Sequence, residues 1–249
     1  NYSPKINHSE LTNVLDCLKS NWISSRGKYL QLFENEFSKF IQLKFSASVS
    51  SCTSGLFLAI KALNLKKGSE VIVPNVTFVS PINMILANNL KPVLCDVNNT
   101  NYTICTKHLK NLISKKTSAI ICVHTYGYAC DIKKVKKLIS GKNIKLIEDC
   151  AESVGTKFED RYSNNSDVSV YSFFGNKTIT TGEGGMVLSK NKKLIDDIKL
   201  LRDHGMTKKK YWHDRIGYNF RMTNIQAAIG YAQTKKIKSI IKKKNKIFE

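Results

Sequence analysis

The chain has 249 residues, 42% hydrophobic and 24% charged, which suits one large buried core and excludes a disordered polypeptide. It contains no run of roughly 20 apolar residues and no apolar signal core at its start, so neither a membrane nor secretion is indicated and a cytoplasmic location is expected. A formal charge of +21 raises nucleic acid as a partner, but the 35 lysines and five arginines are spread along the chain without a stacking aromatic pattern, so no nucleic acid is expected.

Ser9 is the expected N-cap of a first helix carrying Leu11, Val14, Leu15 and Leu18 at helical spacing. A second amphipathic stretch follows with Leu32, Phe33, Phe37, Phe40 and Ile41. From Ser46 the pattern changes to short β-prone runs alternating with helical segments: SASVS, EVIVP, KPVLCDV, SAIICVH and KLIEDC, then VSVYSFF and GGMVLS. That alternation predicts an α/β domain with a mostly parallel sheet and helices on both faces. Further helices are predicted from Asn191 to about Arg202, and from Thr223 into the basic tail, whose lysines from 235 to 246 form an exposed helix face. Segments 1–45, 46–235 and 236–249 are read as a helical lead, the main domain and the start of a C-terminal region. The seven cysteines are odd in number and contain no CxxC pair, so neither a disulfide framework nor a metal site is indicated.

In α/β sheets ligands gather beyond the carboxyl ends of the strands, and three segments there carry suggestive chemistry. In SVSSCTSGLFLAI a strand passes through small polar residues into an apolar helix; the amides near Cys52 and Thr53 suit an anion, although plain helix caps look the same. KLIEDC ends a strand in Glu148 and Asp149, which fits a structural ion pair or a buried acid that keeps a pyridine nitrogen protonated. VYSFFGNKTITTGEGGMVLS sets Lys177 before Gly182, Gly184 and Gly185, suiting a lysine shielded for covalent chemistry or an ordinary surface lysine. Spacing alone leaves each pair of readings open.

Together, in this order, the motifs resemble the sugar aminotransferases of the fold-type-I pyridoxal-phosphate (PLP) superfamily. The resemblance runs from NWISSRGKYLQLFENEF (21 to 37) through SCTSG, EVIVPNVTFVSPINMI, VHTYGYACD, IEDCAESVG and SFFGNKTITTGEGGMV to YWHDRIGYNFRMTNIQAAIG (211 to 230). It implies the large domain of that fold, with a seven-stranded, mostly parallel sheet flanked by helices. Lys177 stands at the family's Schiff-base lysine and Asp149 at the partner of the pyridine nitrogen. Glu152 takes the place of a polar residue near the ring, while Thr53, the amide of Cys52 and Ser172 match phosphate-binding positions. Phe78 matches the aromatic that stacks on the ring. Asn219 matches a residue reaching the phosphate in the neighbouring subunit, so a homodimer with a shared site is implied.

Within that family the match is nearest to 4-aminotransferases of nucleotide-linked 4-keto-6-deoxy sugars, of perosamine or viosamine type, with glutamate as donor and 2-oxoglutarate as its product. A 3-aminotransferase is the alternative, as is a truncated, inactive PLP-fold protein with a basic binding surface. Relatives that dehydrate carry histidine in place of the lysine; Lys177 argues against that branch. The family's pattern continues beyond Glu249 into a smaller C-terminal domain, so a missing small domain is expected. The segment FEDRYSNNSD (158 to 167) lacks the family's usual glycines, and Asn164 and Asn165 are expected to form its turn.

Overall fold

A computed structural model describes residues 4–159, 161–162 and 164–248. In chain order the elements are α1 (His8–Lys19), α2 (Lys28–Ile41), β1 (Phe45–Val49), α3 (Cys52–Ala62), β2 (Glu70–Pro74), α4 (Ser80–Ala87) and β3 (Lys91–Cys95). Then come α5 (Thr106–Leu112), β4 (Thr117–Val123), α6 (Ile132–Ile139), β5 (Lys145–Asp149), β6 (Lys157–Phe158), β7 (Arg161–Tyr162) and β8 (Val168–Ser172). Last are β9 (Gly185–Ser189), α7 (Lys192–Arg202), α8 (Asn224–Lys235) and α9 (Ile237–Phe248).

Seven strands form one sheet in the order β1-β9-β8-β5-β4-β2-β3. Strands β8, β5, β4, β2 and β3 run parallel, and β9 pairs antiparallel with both β8 and β1. This is the α/β fold-type-I large domain, and it explains why β4, β5 and β8 read as apolar runs: both faces of the sheet are covered. One face packs on α3, α4 and α7 through Leu56, Ile60, Ile85, Ile195 and Ile198. On the other, α5 and α6 cover Ile72, Ile120 and Leu146, and α2 and α8 cover Tyr171, Phe173, Met186 and Leu188. Phe33 and Phe37 of α2 lie 5.0 Å, centroid to centroid, from Phe173. Pro92 sits on the edge strand β3, where its missing amide donor costs no ladder bond.

Four details differ from the sequence reading. The first helix is capped by Asn7, because Glu10 three residues on returns its carboxylate to the Asn7 amide (3.1 Å), whereas Ser9 lies inside the first turn with its hydroxyl on Glu10. Leu11, Leu15 and Leu18 face outward, each about half exposed; Glu10 and Cys17 are the buried residues of α1. The predicted helix from Thr223 is two helices, interrupted at Lys236, whose ammonium holds the buried Glu10 carboxylate at 3.0 Å. The hairpin turn is not at Asn164 and Asn165: β6 and β7 pair Phe158 with Arg161, so Glu159 and Asp160 link them, Glu159 with φ 48° and Asp160 outside the described residues. Asn164 instead donates to the Ile41 carbonyl and Asn165 accepts from Lys136 (3.1 Å). Among the described residues no helix is long and apolar enough to cross a membrane.

Candidate active site

The parallel strands end on a cavity of about 530 Å³ that collects residues from distant parts of the chain. The helix α3 supplies its first turn. Ser51 caps it by accepting the Ser54 amide (3.1 Å), so the amides of Cys52 and Thr53, which precede the helical hydrogen-bonding pattern, are left for a ligand at the positive end of the helix dipole. The backbone there lies against β9: a Cβ on Gly185 would meet the Cys52 nitrogen and the Ser51 carbonyl at 2.7 Å, so only glycine admits this approach. Ser80, at the start of α4, donates to Thr53 Oγ1 at 2.7 Å. With that oxygen already accepting, the Thr53 hydroxyl hydrogen is free to be given to an anion. Ser172 ends β8 on the same cavity wall.

Asp149 ends β5 with its side chain buried and lining the cavity. Its Oδ1 takes the Ala151 amide (3.0 Å) and lies 3.9 Å from the Cys52 thiol, which leaves Oδ2 as the oxygen available to a ligand. Burial pushes its pKa up to about 6, only partly offset by the Ala151 amide, so the ionised form is costly until a cation or a strong donor comes to it. Lys177 lies in the loop after β8, its side chain 19% exposed, with Nζ 3.3 Å from Glu152 Oε1. Glu152 Oε2 in turn accepts the Tyr126 amide at 2.8 Å. Phe78 is 76% exposed and presents an open ring face at the cavity.

Cys52, Thr53, Phe78, Asp149, Glu152, Ser172 and Lys177 thus line one cavity. Asn219 does not line it. It sits beside Asp203 in an isolated bridge, and its Oδ1 accepts from Arg221 Nε (3.1 Å), so its amide NH₂ is turned outward as a donor; Asp203 fixes Arg221 in turn (2.6 Å). Ser80, Thr77, Thr125, Tyr126 and Glu183 also line the cavity and were not singled out from the sequence. Of these, VHTYGY carried a usable signal, being a polar and aromatic turn directly after a strand.

A phosphorylated, cationic heterocycle with a carbonyl fits this donor set. The α3 amides and the Thr53 hydroxyl suit a dianion, Asp149 suits a protonated ring nitrogen, and Lys177 suits a carbonyl carbon. Thr77 Oγ1 and Thr125 Oγ1 are buried without a hydrogen-bond partner among the described residues, as polar atoms kept for a ligand are.

Comparison with known proteins agrees with this chemistry. The chain is 44% identical to a GDP-perosamine synthase of Vibrio cholerae, over 100% of its own length and 68% of that protein's. Its fold superposes on Helicobacter pylori PseC, an aminotransferase involved in pseudoaminic acid biosynthesis, with a TM-score of 0.91 at 30% identity, over 95% of this chain and 65% of that one. A GDP-4-keto-6-deoxymannose-3-dehydratase with a trapped PLP-glutamate geminal diamine gives 0.92 at 27% identity, over 96% of this chain and 69% of that one. The chain therefore spans only part of each protein it matches. Residues 4–249 match the DegT/DnrJ/EryC1/StrS aminotransferase family, and the chain belongs to it.

Proposed function

We propose that the protein transfers an amino group from glutamate to a nucleotide-linked 4-keto-6-deoxy sugar, with PLP as cofactor and Lys177 as the cofactor-bearing amine. The observation that carries this reading is the convergence of Lys177, the buried Asp149 and the first turn of α3 on one cavity. PLP, when bound, supplies a carbonyl that takes up the amino group and a ring that withdraws electrons from the adjacent carbon. The chain's own residues do the rest. The Cys52 and Thr53 amides, the Thr53 hydroxyl and Ser172 hold the phosphate; Phe78 covers a ring face; Asp149 Oδ2 holds the proton on the ring nitrogen. Lys177 Nζ moves the proton at the amino-bearing carbon of donor and acceptor, with Glu152 aiming it.

The site is proposed to be completed by a second copy, whose outward-facing Asn219 amide reaches the phosphate. The position of Asn219 outside its own chain's cavity supports this, as do the exposed Val76 and Phe78 at the cavity and Leu11, Leu15 and Leu18 on α1. Borohydride reduction of the PLP-loaded protein, followed by peptide mass mapping, is expected to mark Lys177. In a separate, unreduced sample, glutamate should bleach the bound cofactor and release 2-oxoglutarate, and a panel of nucleotide 4-keto sugars should give a 4-amino product by NMR. A label on any other lysine sinks the assignment, and a 3-amino product would move the reaction to the neighbouring carbon.

A further inference from the structure

Behind the cavity wall, on the opposite face of β5 from Asp149, lies a buried pair that the proposed chemistry does not use. His124 Nε2 is 3.0 Å from Glu148 Oε2, and both side chains are essentially inaccessible to solvent. The other ring nitrogen, Nδ1, accepts the amide N–H of Cys130 at 3.0 Å. A nitrogen that accepts a backbone N–H carries no proton, so the ring proton sits on Nε2 and is donated to Glu148. Burial disfavours the imidazolium; thiolates at Cys130 and Cys150 would draw the ring toward it, but the Cys130 thiol donates to the Val123 carbonyl at 3.1 Å, which requires its proton, and burial holds the Cys150 thiol above its ordinary pKa. The ring is neutral, in one fixed tautomer.

This ring closes the loop from 124 to 130 on itself and ties it to β5. The His124 amide donates to the Asp149 carbonyl (3.1 Å), and the His124 carbonyl accepts the Gly127 amide (3.1 Å). Between them Tyr126 is held at φ 53°, ψ 21°, a left-handed conformation that a tyrosine keeps only where its surroundings impose it. That conformation aims the Tyr126 amide at Glu152, the residue facing Lys177. We propose that His124 and Glu148 are positioning residues: their buried hydrogen bond holds the 125–127 turn so that Glu152 aims Lys177 at the cofactor carbonyl. The proposal rests on Lys177 being the cofactor-bearing amine.

A metal ion would compete for the same groups, since ligand atoms of His124, Glu148 and Cys150 lie within 4.8 Å of one another. Binding one through Nε2 requires the proton to move to Nδ1, where the Cys130 amide already points.

Four measurements test the proposal. First, ¹⁵N NMR of the ring in the unloaded protein should show a neutral imidazole protonated at Nε2 and unchanged from pH 6 to 8; a proton on Nδ1, or a cation, overturns it. Second, H124N keeps an acceptor where Nδ1 stands and lacks the donor to Glu148, and E148M removes the acceptor. Each is expected to slow covalent attachment of PLP to Lys177 by about tenfold, the scale of a sub-ångström misplacement. Third, E148Q, which still accepts from Nε2, should restore the attachment rate. Fourth, thermal melts identify variants that have not folded; if H124N is among them, E148M and E148Q decide. Folded variants that attach PLP at the wild-type rate overturn the positioning role. If wild-type protein attaches no PLP at Lys177 while the tautomer is as stated, the functional reading has failed instead.

Discussion

Asp149 lies buried at the cavity, where its charge is costly. Its pKa in the fold, about 6, lies above the ordinary 3.8, so its contribution to stability is fully present below pH 3.8 and is lost as pH rises through 6. The gap between those two values corresponds to about 3 kcal/mol at neutral pH. D149N is therefore expected to raise the stability of unloaded protein by up to that amount at pH 7 and by nothing near pH 3.5, read from urea melts at the two pH values. The same change should sharply weaken PLP binding; a D149N protein no more stable than wild type at pH 7 would show that Asp149 is already compensated. Thr53 and Ser80 make a second pair. S80A takes the donor from Thr53 Oγ1, freeing that hydroxyl to turn, and is expected to weaken PLP by about fivefold, roughly 1 kcal/mol. Binding of pyridoxal, which lacks the phosphate, should be unchanged; equal loss for both ligands would mean that Ser80 acts away from the phosphate. Thr53 was legible in the sequence because a run of small polar residues enters an apolar helix there. Ser80 was not, because it lies 27 positions away and only the packing of α4 beside α3 brings its hydroxyl to Thr53.

The elements that position the cavity are fastened by charges whose partners come from far along the chain. Glu34 of α2 is buried, accepting from the Ser48 amide of β1 (2.8 Å) and pairing with Arg202 (2.9 Å) and Lys199 (3.0 Å) of α7. Arg202 also reaches the Ser48 carbonyl. Burial alone would push the Glu34 pKa up, but Arg202 and Lys199 more than offset it and hold the carboxyl below its ordinary value. That stability is present above pH 4.5 and is lost as pH falls through the lowered pKa. E34Q, which leaves Arg202 facing a neutral amide, is expected to cost about 3 kcal/mol at pH 7. The deficit should shrink as pH falls from 4.5 through the lowered pKa, where wild type loses the same charge; a constant deficit would mean the loss is one of packing. Most helices and strands were legible because their periodicities are local, whereas α5 was not singled out and the order of the strands in the sheet was not read. What was not legible depends on contacts across the chain. Ser9 is as good a cap as Asn7 until Glu10 chooses between them. Asn164 and Asn165 are good turn residues, but Asn164 is drawn to the Ile41 carbonyl, a partner 123 positions away, and the turn falls at Glu159. The break at Lys236 likewise depends on Glu10, near the other end of the chain.

At the scale of the whole molecule, the charge of +21 and the cavity are separate features. The basic helix α9 lays Ile237, Ile240 and Ile241 on the core and turns Lys238, Lys242, Lys243 and Lys246 to solvent, as a charged outer face does, while the cavity's walls hold Asp149, Glu152 and Glu183 beside Lys177. What the cavity lacks is a contribution from the segment around Asn219, although the amide there is oriented by Arg221 and Asp203 as a functional donor would be. If a second copy supplies that donor, K177A and N219A are each inactive alone, but a mixed dimer regains one complete site: the N219A subunit brings Lys177 and the K177A subunit brings Asn219. Equal mixing with free subunit exchange makes about half of the dimers mixed and so restores about one quarter of the sites. Covalent PLP attachment at high cofactor dilution, measured after denaturing and refolding the two variants together, is expected to recover toward that fraction. Recovery no greater than the sum of the separate variants, in a sample shown by differential tagging to contain mixed dimers, would place Asn219 in its own subunit's architecture and leave the cavity complete within one chain.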